Sequence, residues 1–256
     1  MSKFLSISAA IWYIPVLVGQ WIFAAYIIHT YGGSLLSNDL LAWNEHLANA
    51  YVPGNHLGNV VVGSHLFLGL IAHLGGPLQL VPSVRKRFPT FHHWNGRIFV
   101  VAAILAVFAG LYMLFVRDIG AWAMRLGFLL QSLFILIFAY ATLQNAIARR
   151  FAVHRRWATR LFLAASAVWF FRVFVMVWFV TTGGVGIDTN TGSGWFLDAM
   201  AALQFLPLVG YEVYLRVEAS RRNSAKFAAS LFLLVAAVAM AVGVTVATLG
   251  MWFPNL

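Results

Sequence analysis

Cysteine is absent from all 256 residues, and charge is scarce: 17 Lys and Arg with 7 Asp and Glu make up 9% of the chain. Without a thiol there is no disulfide framework, Fe–S cluster, thiolate-held zinc, c-type haem attachment or cysteine nucleophile. Any metal bound here has to be held by histidine, methionine or carboxylate. The shortage of charge is equally decisive. A soluble domain carries about 25% charged residues, whereas 62% of this chain is hydrophobic and its mean hydropathy is +0.83. Such a chain cannot cover a globule with polar surface, and it reads as an integral membrane protein. No Ser, His and acid set has hydrolase spacing. The glycines of Gly183 to Gly194 are followed by no P-loop lysine, which argues against a nucleotide site.

What the chain does contain is long apolar runs. A bilayer core about 30 Å thick takes roughly 20 apolar helical residues. Seven stretches qualify, near 9–30, 60–82, 96–116, 121–147, 157–180, 196–216 and 227–252. They do not alternate over about ten residues as barrel strands do, so helices are expected. The first is longer than a signal peptide's apolar region and lacks a small-residue cleavage site, so it is expected in the mature protein. The fold class that follows is all-α, a seven-transmembrane helix bundle forming one membrane domain over 1–256. Helices 2 to 5, about 60–180, are its four-helix core, and helices 1, 6 and 7 are peripheral.

The basic residues sort by the helix ends they flank. Lys3, then Arg85, Lys86, Arg87 and Arg97, then Arg149, Arg150, Arg155, Arg156 and Arg160, then Arg216, Arg221, Arg222 and Lys226 share one side. Only Arg117, Arg125 and Arg172 fall toward the other. The positive-inside rule then predicts a cytoplasmic N-terminus and an outside C-terminus. The net charge of +10 is thus a topological signal. A nucleic-acid partner would not segregate bases to alternate loops, and none is expected. Two outer loops stand out: 31–59, with Asn44, Glu45, His46 and His56, and the Gly- and Thr-rich 181–195. Asp118, next to Arg117, reads as half of a loop ion pair.

Two short blocks echo each other. The third span opens His92, His93, Trp94, Asn95, Gly96, Arg97, and the fifth opens His154, Arg155, Arg156, Trp157, Ala158, Thr159, Arg160. Each has histidine ahead of W-x-x-R and follows a basic cluster, which suggests that helices 2 and 3 and helices 4 and 5 are duplicated hairpins. The simpler alternative is that Trp and Arg mark any cytoplasmic interface, with the guanidinium lying near the indole three residues away.

These blocks, with GSHLFLGL at His65 and Gly69, GPLQLVP at Gly76, Pro77 and Gln79, and Arg172 in WFFRVF, resemble the bacterial membrane family catalogued as domain of unknown function 2306. The resemblance covers about 60–178. His93 stands where that family usually has arginine, and helices 1, 6 and 7 have no counterpart in it. It implies a multi-pass protein of the bacterial cytoplasmic (inner) membrane and carries over the polar positions His65, His92, Arg97, His154, Arg160 and Arg172, without implying an activity.

Ionisable groups inside a span are costly and mark candidate sites. His65 and His73 lie on helix 2, roughly 7 and 20 Å from its outer end at 1.5 Å per residue, with Gly69 and Gly76 near the same stripe. The leading expectation is haem b between helices, ligated by His65 with His29 as partner, and with Arg125 and Arg172 placed for the propionates. His46 and His56 are substitutes for His29, and His73 is a further metal candidate. His92, His93, Arg97, His154, Arg155 and Arg160 form an inner grouping suited to a second cofactor, a quinone or proton handling. Loop histidines solvated at the interface are the plainer account of that grouping. The expected function is electron transfer across or within the membrane, linked to quinol or a redox partner protein. Its alternatives are a small-anion transporter using Arg125 and Arg172, or a non-catalytic or copper-handling subunit using His29, His46, His56 and His65. The lipid bilayer is the certain partner, and oligomerisation is left open.

Overall fold

The computed structural model describes residues 1–118, 122–189 and 193–254. Among them the chain is helical throughout, with one isolated bridge between Asp188 and Ser193. The long helices are α1 (Ser2–Ile27), α4 (His56–Gln79), α6 (Pro89–Phe115), α7 (Trp122–Ile147), α8 (Phe151–Ala165), α9 (Ala167–Thr182), α10 (Trp195–Leu203), α11 (Leu206–Ala219) and α12 (Asn223–Ala247), with short α2 (Gly33–Leu36), α3 (Trp43–His46) and α5 (Pro82–Arg87) between them. Six stretches are long and apolar enough to cross a membrane, and α8 with α9 makes a seventh if the pair is one span. The protein is therefore a multi-pass membrane protein. Large apolar side chains stay exposed along these helices, among them Phe67, Val101, Leu105, Phe108, Phe232, Val235 and Val238. Lipid is the solvent in which that surface is stable.

Several boundaries differ from the sequence expectation, each for a local reason. The sixth expected span is interrupted at Gln204 and Phe205 because Pro207, lacking an N–H, starts the new helix α11. The fifth is interrupted at Ser166, where no proline or glycine announces a break. There the Gln20 amide donates to the Ser166 hydroxyl at 2.8 Å, an interaction no local pattern encodes. Helix α6 begins at Pro89, a natural first helical residue, so His92 and His93 are helical and not loop residues. His154 is likewise inside α8. The expected span start at Ala121 and residues 190–192 of the second outer loop lie outside the described residues.

The chain divides into two compact units, Trp21–Ala165 and a second made of Met1–Gln20 with Ser166–Leu256. In the first, α4 packs along α6 and α7 along α8, the two most extensive helix pairs, while α6 against α7 and α8 against α4 complete a ring of four. Glycines set the α4–α6 spacing. A Cβ on Gly76 would meet the Phe99 ring at 2.8 Å, one on Gly96 would meet Gln79 at 2.9 Å, and one on Gly75 would overlap the Asn95 amide. Gly110 faces the His65 ring in the same way, at 3.3 Å. These small residues let two backbones approach closely where no hydrophobic force separates helix from lipid. The 31–59 connection folds back on this unit through two asparagine clamps. Asn44 exchanges paired hydrogen bonds with the Tyr51 backbone, both 2.9 Å, and Asn59 does so with Val52 at 3.0 and 2.9 Å.

The second unit uses the same device. Gly19 lies against Trp169 and Val244, and Gly243 against Val173 and Val177, so α9 and α12 meet at glycine-sized gaps. Trp178 stacks on Phe196 with ring centroids 4.3 Å apart, over a core of Val175, Phe196 and Met200.

The glycine seam generates a test. Gly76→Val overpacks it, and a cost of about 1–3 kcal/mol should lower the thermal unfolding midpoint in detergent by several degrees. Gly69→Ala, whose Cβ would meet nothing within 4 Å, should unfold at or above the wild-type temperature. Equal behaviour of the two variants would refute the packing assignment.

Candidate functional site

Polar side chains inside a span need protein partners, and three histidines of the four-helix ring find theirs on neighbouring helices. The His65 ring on α4 places Nδ1 3.0 Å from the Ala106 carbonyl of α6. The His154 ring on α8 places Nδ1 3.0 Å from the Thr142 carbonyl of α7. A carbonyl only accepts, so each Nδ1 carries a proton, and in the neutral ring Nε2 then carries the lone pair. His92, on α6, is held from α4. The Gln79 amide NH₂ donates to His92 Nδ1 at 3.1 Å while its oxygen accepts from Gly96 N at 3.2 Å and Asn95 Nδ2 at 2.5 Å. With Nδ1 accepting, His92 carries its proton on Nε2. Asn95 completes the cluster by donating to the Gly75 carbonyl at 2.8 Å.

His92 and His154 share one electrostatic neighbourhood, together with His93 and Arg85. They come from α6 and α8, which stand diagonally in the ring. The intervening helices supply the anchors, Gln79 from α4 and Thr142 from α7. Thr142 adds a further signal. Its hydroxyl is buried and has no hydrogen-bond partner among the described residues, so a polar group facing it would be stabilised. This is the basic end of the unit, carrying Arg85, Lys86 and Arg87 on α5 and Arg149 and Arg150 before α8. Both W-x-x-R blocks lie here and adopt one geometry, Arg97 over Trp94 at 4.9 Å and Arg160 over Trp157 at 4.6 Å. The repetition of that stack on α6 and α8 agrees with a duplicated hairpin, and it is also the interface contact that the simpler alternative describes.

The remaining sequence candidates are dispersed. His65 is half-buried within the ring, and because α4 starts at His56 it lies about 14 Å along the helix, deeper than the expected 7 Å. His73 packs edge-on against Phe23 with centroids 5.0 Å apart. His29 is exposed on the single π-helical turn Ile28–Gly32 that ends α1. His46 lies edge-on to Tyr26 and Tyr31, and His56 is exposed at the start of α4. Arg125 is engaged by Asp118 in an ion pair. The expected pairing of Asp118 with Arg117 is thereby corrected: Arg117 instead donates from Nη2 to Asn59 Oδ1 at 2.5 Å. Arg172 belongs to the other unit, with Nη1 3.5 Å from the Val168 carbonyl of its own helix. Among the described residues, no group of three or more His, Asp or Glu is placed to hold a metal ion.

The residues the sequence reading passed over are the anchors. Gln79 and Asn95 were visible in the GPLQLVP and HHWNGR blocks but not as partners of His92. Thr142 and Ala106 contribute backbone carbonyls, which every residue possesses and no residue type advertises.

Comparison with known proteins follows the same stretch of chain. No curated protein and no solved structure matches. Residues 62–198 match the family described as predicted membrane protein DUF2306, which includes His65, His92 and His154 and extends beyond the expected limit at 178 into the first turn of α10. That match spans more than half of the chain, which therefore belongs to the DUF2306 family of predicted membrane proteins.

Proposed function

We propose that this chain is a b-type haem protein that holds its cofactor at the basic end of the four-helix unit, between His92 and His154, and passes electrons linked to a quinol or a partner reductase. The observation that carries the reading is the pair of diagonal histidines whose Nδ1 atoms are engaged by the two intervening helices. Metal-ligating histidines are oriented by such hydrogen bonds at the far ring nitrogen, which present Nε2 to the iron. Facing helices of a four-helix unit are where such cofactors sit. His154 has the required tautomer. His92 has the opposite one, its Nδ1 accepting from the Gln79 amide, so ligation through Nε2 would require that nitrogen to give up its proton. Arg97, Arg160 and Arg85 supply positive charge at the same end for propionates. The positive-inside rule orients that end to the cytoplasm of a bacterial inner membrane.

A second reading rests on the tautomer difference itself. With His92 Nε2 as donor and His154 Nε2 as acceptor, the pair is complementary to the carbonyl and hydroxyl groups of a quinone and its quinol, without haem.

Detergent-purified protein made with adequate haem supply should show a Soret band, a sharp α band on dithionite reduction, and stoichiometric iron. His92→Ala and His154→Ala should each lose most of that absorbance and His65→Ala should keep it. The opposite pattern would return the haem to His65 and His29, and a colourless wild type would leave the quinone reading.

The Gln79 network gives a second test. Gln79→Leu removes hydrogen bonds to His92 and Asn95, at about 1 kcal/mol each. Because Gln79 and Asn95 share a bond, the Gln79→Leu, Asn95→Ala double variant should lose less stability than the two single losses added together. Strict additivity in a chemical-denaturation cycle would show that the network does not exist.

A further inference from the structure

At the opposite end of the α4–α6 hairpin, Arg117 is enclosed in a way that its basic-end counterparts are not. It follows the last turn of α6, is 5% exposed, and donates from Nη2 to Asn59 Oδ1. Its Nε and Nη1, which carry three N–H donors between them, are buried and have no partner among the described residues. The neighbouring carboxylate, Asp118, turns to Arg125. The guanidinium is thus a buried cation with no acid paired to it among the described residues. An uncompensated buried charge is among the most costly arrangements a protein can hold, and an arginine cannot relieve it by losing its proton.

The surroundings are built to keep it there. Gly58 on α4 leaves the space that Arg117 Nη2, the Tyr112 hydroxyl and the Asn55 side chain occupy; a Cβ would lie 2.6, 2.8 and 2.7 Å from them. Asn59, which accepts from Arg117, is itself clamped to Val52 of the 31–59 connection. The Asn49 amide reaches the Arg117 carbonyl at 3.5 Å. The connection therefore folds over the cation and leaves it 5% exposed.

We infer that Arg117, with Tyr112 beside it, forms an oxyanion site of the phosphate class, either a soluble phosphate or a phospholipid headgroup. A planar fork with free donors suits several oxygens on one centre, and in a nearly closed setting charge-assisted hydrogen bonds of this kind are the strong ones. The inference uses none of the histidines at the basic end and stands whether or not the protein binds haem.

The test is thermal unfolding of the full chain, delipidated in nonionic detergent and titrated with inorganic phosphate in one arm and with phosphatidylglycerol in mixed micelles in the other. The wild type should show a saturable rise of several degrees in at least one arm, and the arm that responds identifies the source. Arg117→Met should lose the response and, in anion-free buffer, unfold at or above the wild-type temperature, because it removes an unpaired buried charge. Should Arg117→Met not accumulate, Arg117→Lys carries the test: the ammonium keeps the charge without the fork, and half-saturation should move at least tenfold higher. No response of the wild type in either arm, or an equal response in the Arg117 variant, overturns the proposal.

Discussion

Inside a bilayer a polar side chain has only the protein to bond to. That constraint organises the Trp21–Ala165 unit more than any apolar contact does. His65 reaches the Ala106 carbonyl, His154 that of Thr142, Gln131 that of Ala164, Asn95 that of Gly75 and Trp21 that of Leu74. Each is a side chain of one helix bonding to a main-chain oxygen of another. Within a helix such an oxygen already accepts its own intrahelical bond and uses its second lone pair here, whereas the Ala164 carbonyl, in the last turn of α8, is one of the acceptors that a helix end leaves open. Five such bonds tie helices together at fixed heights, which dispersion between apolar faces alone would not do.

Reaching a neighbour's backbone requires closeness, and this is why glycine recurs at the crossings. Gly110 lies under the His65 ring near Ala106, and Gly75 lies under Asn95 while lending it a carbonyl. In the second unit the gaps at Gly19 and Gly243 are filled instead by apolar contacts, Trp169 with Val244 and Val173 with Val177. At His65 and Asn95 the polar tie and the glycine gap are one device: the gap admits the side chain, and the side chain's bond holds the gap at its width.

This device explains what was legible in the sequence. Apolar runs located the spans because hydrocarbon selects on composition, whereas Pro89 and Pro207 at the starts of α6 and α11 were not read as helix starts. The histidines and W-x-x-R blocks were visible as residue types out of place in lipid. Their partners were not, since a carbonyl acceptor has no sequence signature. The break at Ser166 was hidden for a related reason, as its partner Gln20 is distant in sequence. Arg117 was misjudged because adjacency to Asp118 looks like pairing in a string of letters. In the folded chain the two side chains diverge, one to Asn59 and the other to Arg125.

The arginines show how position decides what a charge requires. Arg97 is exposed on α6 and Arg160 half-buried on α8, each with its guanidinium over a tryptophan ring. There, water and the ring's π face share the charge, and neither residue demands an acid. Arg117 has the same group at the other end of the same hairpin, but Gly58, Asn59 and the folded 31–59 connection exclude the water that would solvate it. Moving a guanidinium from an open interface into a closed pocket changes it from a topological marker into an electrostatic debt that an acid or a bound anion must balance. Seven acids serve seventeen Lys and Arg in this chain and the neighbouring acid already holds Arg125, so the anion inferred at Arg117 is a balance that the sequence does not encode.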